Sequence, residues 1–509
     1  MTLAIPIQIW MVIVYVAIFT VVGLWSSRKV KELSHWALAG RNLPWWMIGP
    51  ATGALMVAAA ATIGAGGFAY KYGFSAIVMF TLAFIACFIV TSILMCPLYR
   101  RSGIWTMPDM FGRRYQTKAA FRMYIYIIVG AMVMFIGVES VGTARIFEAA
   151  LFGGNHDYWT VSCILALLVI FASVAMGGVW AIAHTNIIHT AAMYIGLGLG
   201  LFYAYHTYGG YTALVASGNL GYQQIDVLAG LGAMSEVYLL FPLMYILAYL
   251  FIPFIHPNFV QISASGKDIK NVKWGFILGG IIGITITALC AILGIYVKAF
   301  MLGIFGTASE DLALPIFGMQ INPVIGGLIY IGIISALMST VGPFVVATST
   351  ILAVNVVGTL KKGNISSDAT LKLGRIFTFI LPVLSIFPAL YWAPKIIPAI
   401  SVIISFGAIV APMFIAGFFW KRATGYGANA SLIGGSLAFF AWVILRYPLG
   451  IHPIVPGMIT ATLALIIVSF ATPPPKQRQL RFIQRLRGVQ FEGESVLDEE
   501  RAKKQETNQ

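Results

Sequence analysis

Residues 332–350 place six hydroxyl side chains, Ser335, Ser339, Thr340, Thr348, Ser349 and Thr350, in a stretch without a single charge. On a helix, Ala336, Ser339 and Thr340 stand at i, i+3 and i+4 and share one face. The carbonyl of Ala336 then lies beside two hydroxyls, giving three neutral oxygens in a dry place. Such a set suits a small, hard, singly charged cation. Ser and Thr in apolar helices also bond back to their own backbone or join neighbouring helices, and spacing alone leaves both uses open.

The other candidates for chemistry are charges within apolar sequence. Glu139, Arg145 and Glu148 fall in one run, and ionisable groups in such places mark functional sites or pair with one another. Arg145 and Glu148, at i and i+3, can neutralise each other. Glu139 has no partner at i±3 or i±4, so it is expected to pair with another span, carry a proton or face a bound solute. His184 and His189 are five residues apart and do not share a helix face, so they read as satisfied polar groups rather than metal ligands. No nucleophile–base–orienter set is visible, which speaks against an enzyme, and no GxxxxGK[ST] sequence points to ATP.

These residues need a membrane to hold them. The chain has 509 residues, 59% hydrophobic and 10% charged, with a mean hydropathy of +0.89. Continuous apolar runs favour an all-α polytopic membrane protein over a barrel. About thirteen spans are expected, near 7–27, 45–70, 74–99, 120–150, 158–177, 183–206, 234–256, 274–302, 320–358, 371–391, 395–420, 424–446 and 451–472. The first run, Ile5–Trp25, is too long and lacks the basic leader of a cleaved signal. The formal charge of +15 does not mark a nucleic-acid binder. Numbering the connections alternately puts 27 of the 32 Lys and Arg on one side and 3 on the other. That asymmetry places the N-terminus outside and the C-terminus in the cytoplasm of a plasma (inner) membrane protein.

Residues 1–472 therefore read as one membrane domain, and 473–509 as a cytoplasmic tail, basic and then acidic, expected to be disordered and to meet anionic lipid headgroups. The second span carries Gly49, Pro50, Gly53, Gly64, Gly66 and Gly67. Glycine and proline break a lipid helix only where protein or a water-filled cavity satisfies the freed backbone. The seventh span carries Pro242 and Pro253. Two broken spans five helices apart fit inverted five-helix repeats, spans 2–6 and 7–11, with one extra helix before and two after.

Four segments, taken together, resemble the sodium:solute symporter family. They are Ala39-Gly40-Arg41-Asn42-Leu43-Pro44-Trp45-Trp46, leading through the broken span to Gly67–Gly73; Gly177-Gly178 through Thr185-Asn186; His256-Pro257 with Val260–Ala264 and Lys267-Asp268; and Ser335–Thr340 with Ala347–Thr350. The resemblance implies a leucine-transporter-type fold and uptake of a small solute driven by a sodium gradient, with Na+ as coupling ion. It also implies a sodium site made of the Ala54, Val57 and Ala336 carbonyls and the Ser339 and Thr340 hydroxyls. The sequence departs from the family pattern at Asn186, where an acid is usual, and at Met56–Ala61, which offers no side-chain oxygen before Thr62. Asn355 likewise replaces an acid. Substrate or coupling candidates are Ala60, Ala61, Thr62, Glu139, Arg145, Thr185 and Asn186.

The alanine run suits a small or apolar solute better than a sugar, whose hydroxyls would stay unpaired. A carboxylate or an amino acid is expected, its carboxylate received by free N–H groups at the broken helix. Phe68, Tyr70, Phe74 and Tyr238 are candidate gates or interface anchors. A proton-coupled or facilitative carrier of the same fold is the alternative. A membrane sensor is disfavoured, because a tail of 37 residues is too short for an independent domain.

Overall fold

The computed structural model describes residues 5–28, 30, 32–116, 118–173, 178–302, 309–361, 365–392 and 395–486. Its main helices are α1 (Ile7–Ser27), α2 (Trp45–Met56), α3 (Ile63–Tyr72), α4 (Phe74–Ser102), α5 (Lys118–Phe152), α6 (Trp159–Ser173) and α7 (Gly178–Tyr208). The second half holds α8 (Phe241–Ile255), α9 (Ile269–Phe300), α10 (Pro323–Val357), α11 (Ser367–Trp392), α12 (Ile396–Phe419), α13 (Gly425–Ile444), α14 (Ile454–Ala471) and α15 (Gln477–Leu486). All named elements among the described residues are helical. By length and composition nine helices can cross a membrane, or eleven if each of two bent pairs is one span. The expected thirteen also included α5, some of whose side chains lie outside the described set, and α6, whose 15 residues fall short of the roughly 20 a straight crossing needs.

Span 2 is broken, but between its two groups of glycines: Gly49, Pro50 and Gly53 lie inside the continuous helix α2, and Gly64, Gly66 and Gly67 inside α3. The segments on either side of the break meet at 80°. The turn comes at Val57 (φ −85°, ψ 52°) and Ala58 (ψ −175°), followed by a single 3-10 turn over Ala59–Ala61. Span 7 corrects its expectation. The segment before α8, residues 227–236, meets α8 at 85°, but the bend lies at 237–240, upstream of both prolines. Leu240 takes a left-handed conformation (φ 56°) there. Pro242 sits in the first turn of α8, where its missing N–H costs nothing, and Pro253 lies within an uninterrupted helix.

The centre of the bundle is α10. With α12 it is among the most enclosed of the spans, 78% and 83% of their apolar windows being buried inside the protein, against 28% for α1 at the periphery. It packs against α7, α1, α5 and α2, while α2 and α3 lie on α9. Close approach explains some of the glycines: a Cβ on Gly294 of α9 would stand 2.0 Å from the Gly66 carbonyl of α3. The tail begins with α15, whose Phe482 ring lies 5.9 Å from that of Phe418 and whose Gln479 donates to the Tyr115 carbonyl at 2.9 Å. Residues 487–509 of the tail, and Gly177 of the Gly-Gly segment, lie outside the described residues.

Candidate functional site

The hydroxyl face of α10 meets the break in span 2. Ser339 Oγ lies 2.9 Å from the Ala54 carbonyl and 2.7 Å from that of Ala336, sharing its proton between them. Thr340 Oγ1 lies 3.0 Å from the Leu55 carbonyl and 3.1 Å from that of Ala336. The hydroxyls return to their own helix and also reach across to α2, which is the backbone-bonding and helix-joining use. Val57 stands at the break itself, and its N–H closes the last turn on the Gly53 and Ala54 carbonyls. The contact of Thr340 with the Leu55 carbonyl is one that the resemblance does not imply. All five residues expected to hold sodium are buried. An oxygen set with no formal charge fits an alkali cation, whose hydration shell such dipoles can replace.

Asn186 ties the same two helices from a third. Its Nδ2 donates to the Ala51 carbonyl of α2 at 3.4 Å and the Ser339 carbonyl of α10 at 3.3 Å. A carboxylate here could not donate, so the neutral side chain has a structural use. Thr185 bonds within its own helix, to Ala181 and Ile182 carbonyls. Both residues line a cavity of about 80 Å³, together with Thr20, His189 and Pro343. His189 and Tyr15 are bonded at 2.7 Å, and Ser335 donates to Tyr15 at 2.8 Å. His184 Nδ1 donates within its own turn, to the Trp180 carbonyl at 2.9 Å. Among the described residues no cluster of metal-ligating side chains occurs.

Beyond the break, Ala60, Ala61 and Thr62 are buried, and Thr62 Oγ1 donates back to the Ala58 carbonyl at 3.0 Å. Glu139 finds its partner on another span, as one of its expected uses required. The Ala59 N–H donates to its carboxylate, at 2.9 Å from one oxygen and 3.2 Å from the other. Arg145 does pair with Glu148, at 2.6 Å, and lies over the Trp159 ring. Glu148 also meets His156 at 2.9 Å. Arg145 is thus committed away from the break.

Four further contacts tie connecting segments to the helices. Residues 309–320 cap the side next to Arg145: Asp311 accepts from the Ile396 N–H at 3.1 Å and Glu310 pairs with Lys395 at 3.0 Å. Burial pushes the Asp311 carboxyl up to about 6, with the Ile396 bond and Arg145 opposing. Thr106 donates to Asn355 Oδ1 at 2.8 Å, and Asn355 donates to Asp109 at 2.8 Å. Of the aromatic candidates, Phe68 packs on Phe241 and Tyr72, and Tyr238 on Phe241, Tyr447 and His452. Tyr70 lies under Lys298 and Phe74 beside Tyr211.

Residues 36–435 match the family profile described as "Sodium:solute symporter family". The osmoregulated proline transporter OpuE of Bacillus subtilis (strain 168) is 23% identical, over 92% of this chain and 95% of its own. A sodium/proline symporter of Staphylococcus aureus (strain JH9) is 24% identical, over 91% and 93%. Among solved structures, a Na+-coupled sialic acid symporter in a substrate-bound outward-open state superposes with a TM-score of 0.77 at 18% identity, covering 92% of this chain and 98% of the other. A nucleobase-cation-symport-1 family transporter with bromovinylhydantoin bound gives a TM-score of 0.57 at 12% identity, covering 88% and 98%. These last two speak to the fold.

Proposed function

The chain belongs to the sodium:solute symporter family, and from that premise we propose how it couples sodium to its solute. It is a multi-pass membrane protein that carries a small solute with Na+. The coupling ion binds where α10 crosses the break of span 2, held by the Ala54, Val57 and Ala336 carbonyls and the Ser339 and Thr340 hydroxyls. The observation that carries this reading is the pair of hydroxyls bonded to the Ala54, Leu55 and Ala336 carbonyls. Sodium takes up hydroxyl lone pairs and carbonyl dipoles that otherwise satisfy each other. Binding therefore draws α10 and α2 into one register and prepares the solute site beyond the break.

The solute is a carboxylate or an amino acid, moved by alternating access. Segment 309–320 and the Thr106–Asn355–Asp109 contact are the barriers at the two ends. The Lys and Arg asymmetry puts the N-terminus outside and the tail in the cytoplasm of the plasma membrane. Asn186 and Thr185, on the wall of the adjoining cavity, lie on the ion's route and set the strength of coupling.

The test is uptake by the full chain in proteoliposomes, with an inward sodium gradient or a proton gradient alone. The panel runs over amino acids and monocarboxylates, beginning with proline. Accumulation that follows sodium supports the reading. Equal accumulation with protons alone would replace it by the proton-coupled alternative.

A further inference from the structure

The break in span 2 was expected to offer free N–H groups to a solute carboxylate. The first donor of the turn that restarts the helix is Ala59, and it is taken. Glu139 reaches across from α5 and places both carboxylate oxygens within 3.2 Å of the Ala59 nitrogen. An anion's place at a helix start is filled by the protein itself. Gly142, one turn further along α5, allows the approach, since a Cβ there would stand 2.9 Å from the Ala59 Cβ.

Glu139 is fully buried, and among the described residues it takes part in no ion pair; the pairs there are Lys71–Glu236, Arg145–Glu148, His156–Glu148 and Lys395–Glu310. Arg145 lies six residues along the same helix, about 9 Å away by helical rise, and is bound to Glu148. Of the helices that pack on α5, α6, α10 and α12 carry no acidic or basic residue, while α11 carries Asp368, Lys372 and Arg375 in its first nine residues. On α8, Tyr249 is within electrostatic reach of Glu139. Its hydroxyl is bonded to that of Tyr245 at 3.0 Å, and their rings lie 4.8 Å apart. A buried carboxylate with one backbone donor, an aromatic neighbourhood and no ion pair among the described residues calls for a cation. An ammonium group is the partner that both features receive well.

We infer that Glu139 determines specificity for a solute bearing a positively charged nitrogen, so that amino acids or amines are carried and carboxylates without such a nitrogen are not. This rests on the sodium-symport reading above and narrows its solute class. The carboxylate of an amino acid then takes a position other than the Ala59 N–H.

The experiment compares the full-length wild type with Glu139→Gln in proteoliposomes. The glutamine oxygen can still accept from Ala59, so the cap survives while the charge is lost. The expected result is at least a 30-fold rise in half-saturating amino acid, the range seen when one partner of a buried charge pair is removed. Stabilisation of the solute-free protein by sodium should not change. Wild-type half-saturation in Glu139→Gln would reduce the residue to a helix cap and overturn the inference. Loss of the sodium stabilisation would do so too, by assigning the carboxylate to the ion. Should the variant not fold, competition on the wild type decides: N-acetyl amino acids and propionate should fail to displace the parent amino acids, and displacement at equal potency sinks the proposal. Sodium dependence of wild-type uptake is read in the same vesicles, so failure of the underlying symport reading is seen separately.

Discussion

Replacing Ser339 by alanine and Thr340 by valine removes two hydroxyls and little volume. In the protein as described, these groups donate to the Ala54, Leu55 and Ala336 carbonyls over 2.7–3.1 Å. If they serve only as helix glue, each neutral bond contributes about 1 kcal/mol. Thermal stability would then fall by a similar amount at every sodium concentration. If they are sodium ligands, each is a polar contact to a charge, roughly 1.5–3 kcal/mol. At about 1.4 kcal/mol per tenfold, even one lost contact raises half-saturating sodium roughly 10- to 100-fold. Melting of the purified protein across a sodium series separates the two. A protein that binds sodium gains about 2.7 kcal/mol at one hundred times its Kd, and the double variant should lose that gain while Thr340→Ser keeps it. An unshifted sodium series in the double variant refutes the ion-site argument, whatever happens to overall stability.

Three other expectations follow from single contacts. Asp311 has its pKa raised to about 6 by burial, so docking of segment 309–320 is favoured in full below the ordinary carboxyl range and loses that contribution as pH rises through about 6. Asp311→Asn, which can still accept from Ile396, should flatten the dependence of accessibility to a cysteine reagent at this segment between pH 4 and 7; an unchanged profile would assign it to another group. Asn186→Asp cannot donate to the Ala51 and Ser339 carbonyls, and should lower stability by about 1–3 kcal/mol while tightening sodium binding; calorimetry with and without sodium would reveal both, and weaker binding would contradict the placement. Gly294→Ala puts a methyl 2.0 Å from the Gly66 carbonyl and should cost about 1–3 kcal/mol by overpacking, visible as a lower melting temperature; no change would mean that α9 and α3 are not held as closely as described.

Several features were legible because their signal is local. Apolar length marks a span, and the i, i+3, i+4 spacing of Ala336, Ser339 and Thr340 puts them on one face. Arg145 and Glu148, three apart, find each other. The bend before α8 was misplaced for the same reason: prolines are conspicuous in sequence, but the left-handed turn at Leu240 has no residue-type marker.

By itself, then, the sequence determined a helical membrane protein with a broken second span and a polar face on the helix that crosses it. Those properties depend on composition and on periods of a few residues. Only the tertiary structure decided which groups meet. Glu139 reaches Ala59 across 80 residues, Asn186 reaches Ala51 across 135, and Ser339 reaches Ala54 across 285. No periodicity encodes such separations. The meetings come from helices packed so that buried donors and acceptors satisfy one another where water cannot. That packing gives the Ala59 N–H to Glu139, the contact from which the choice of an amino acid over a simple carboxylate is inferred.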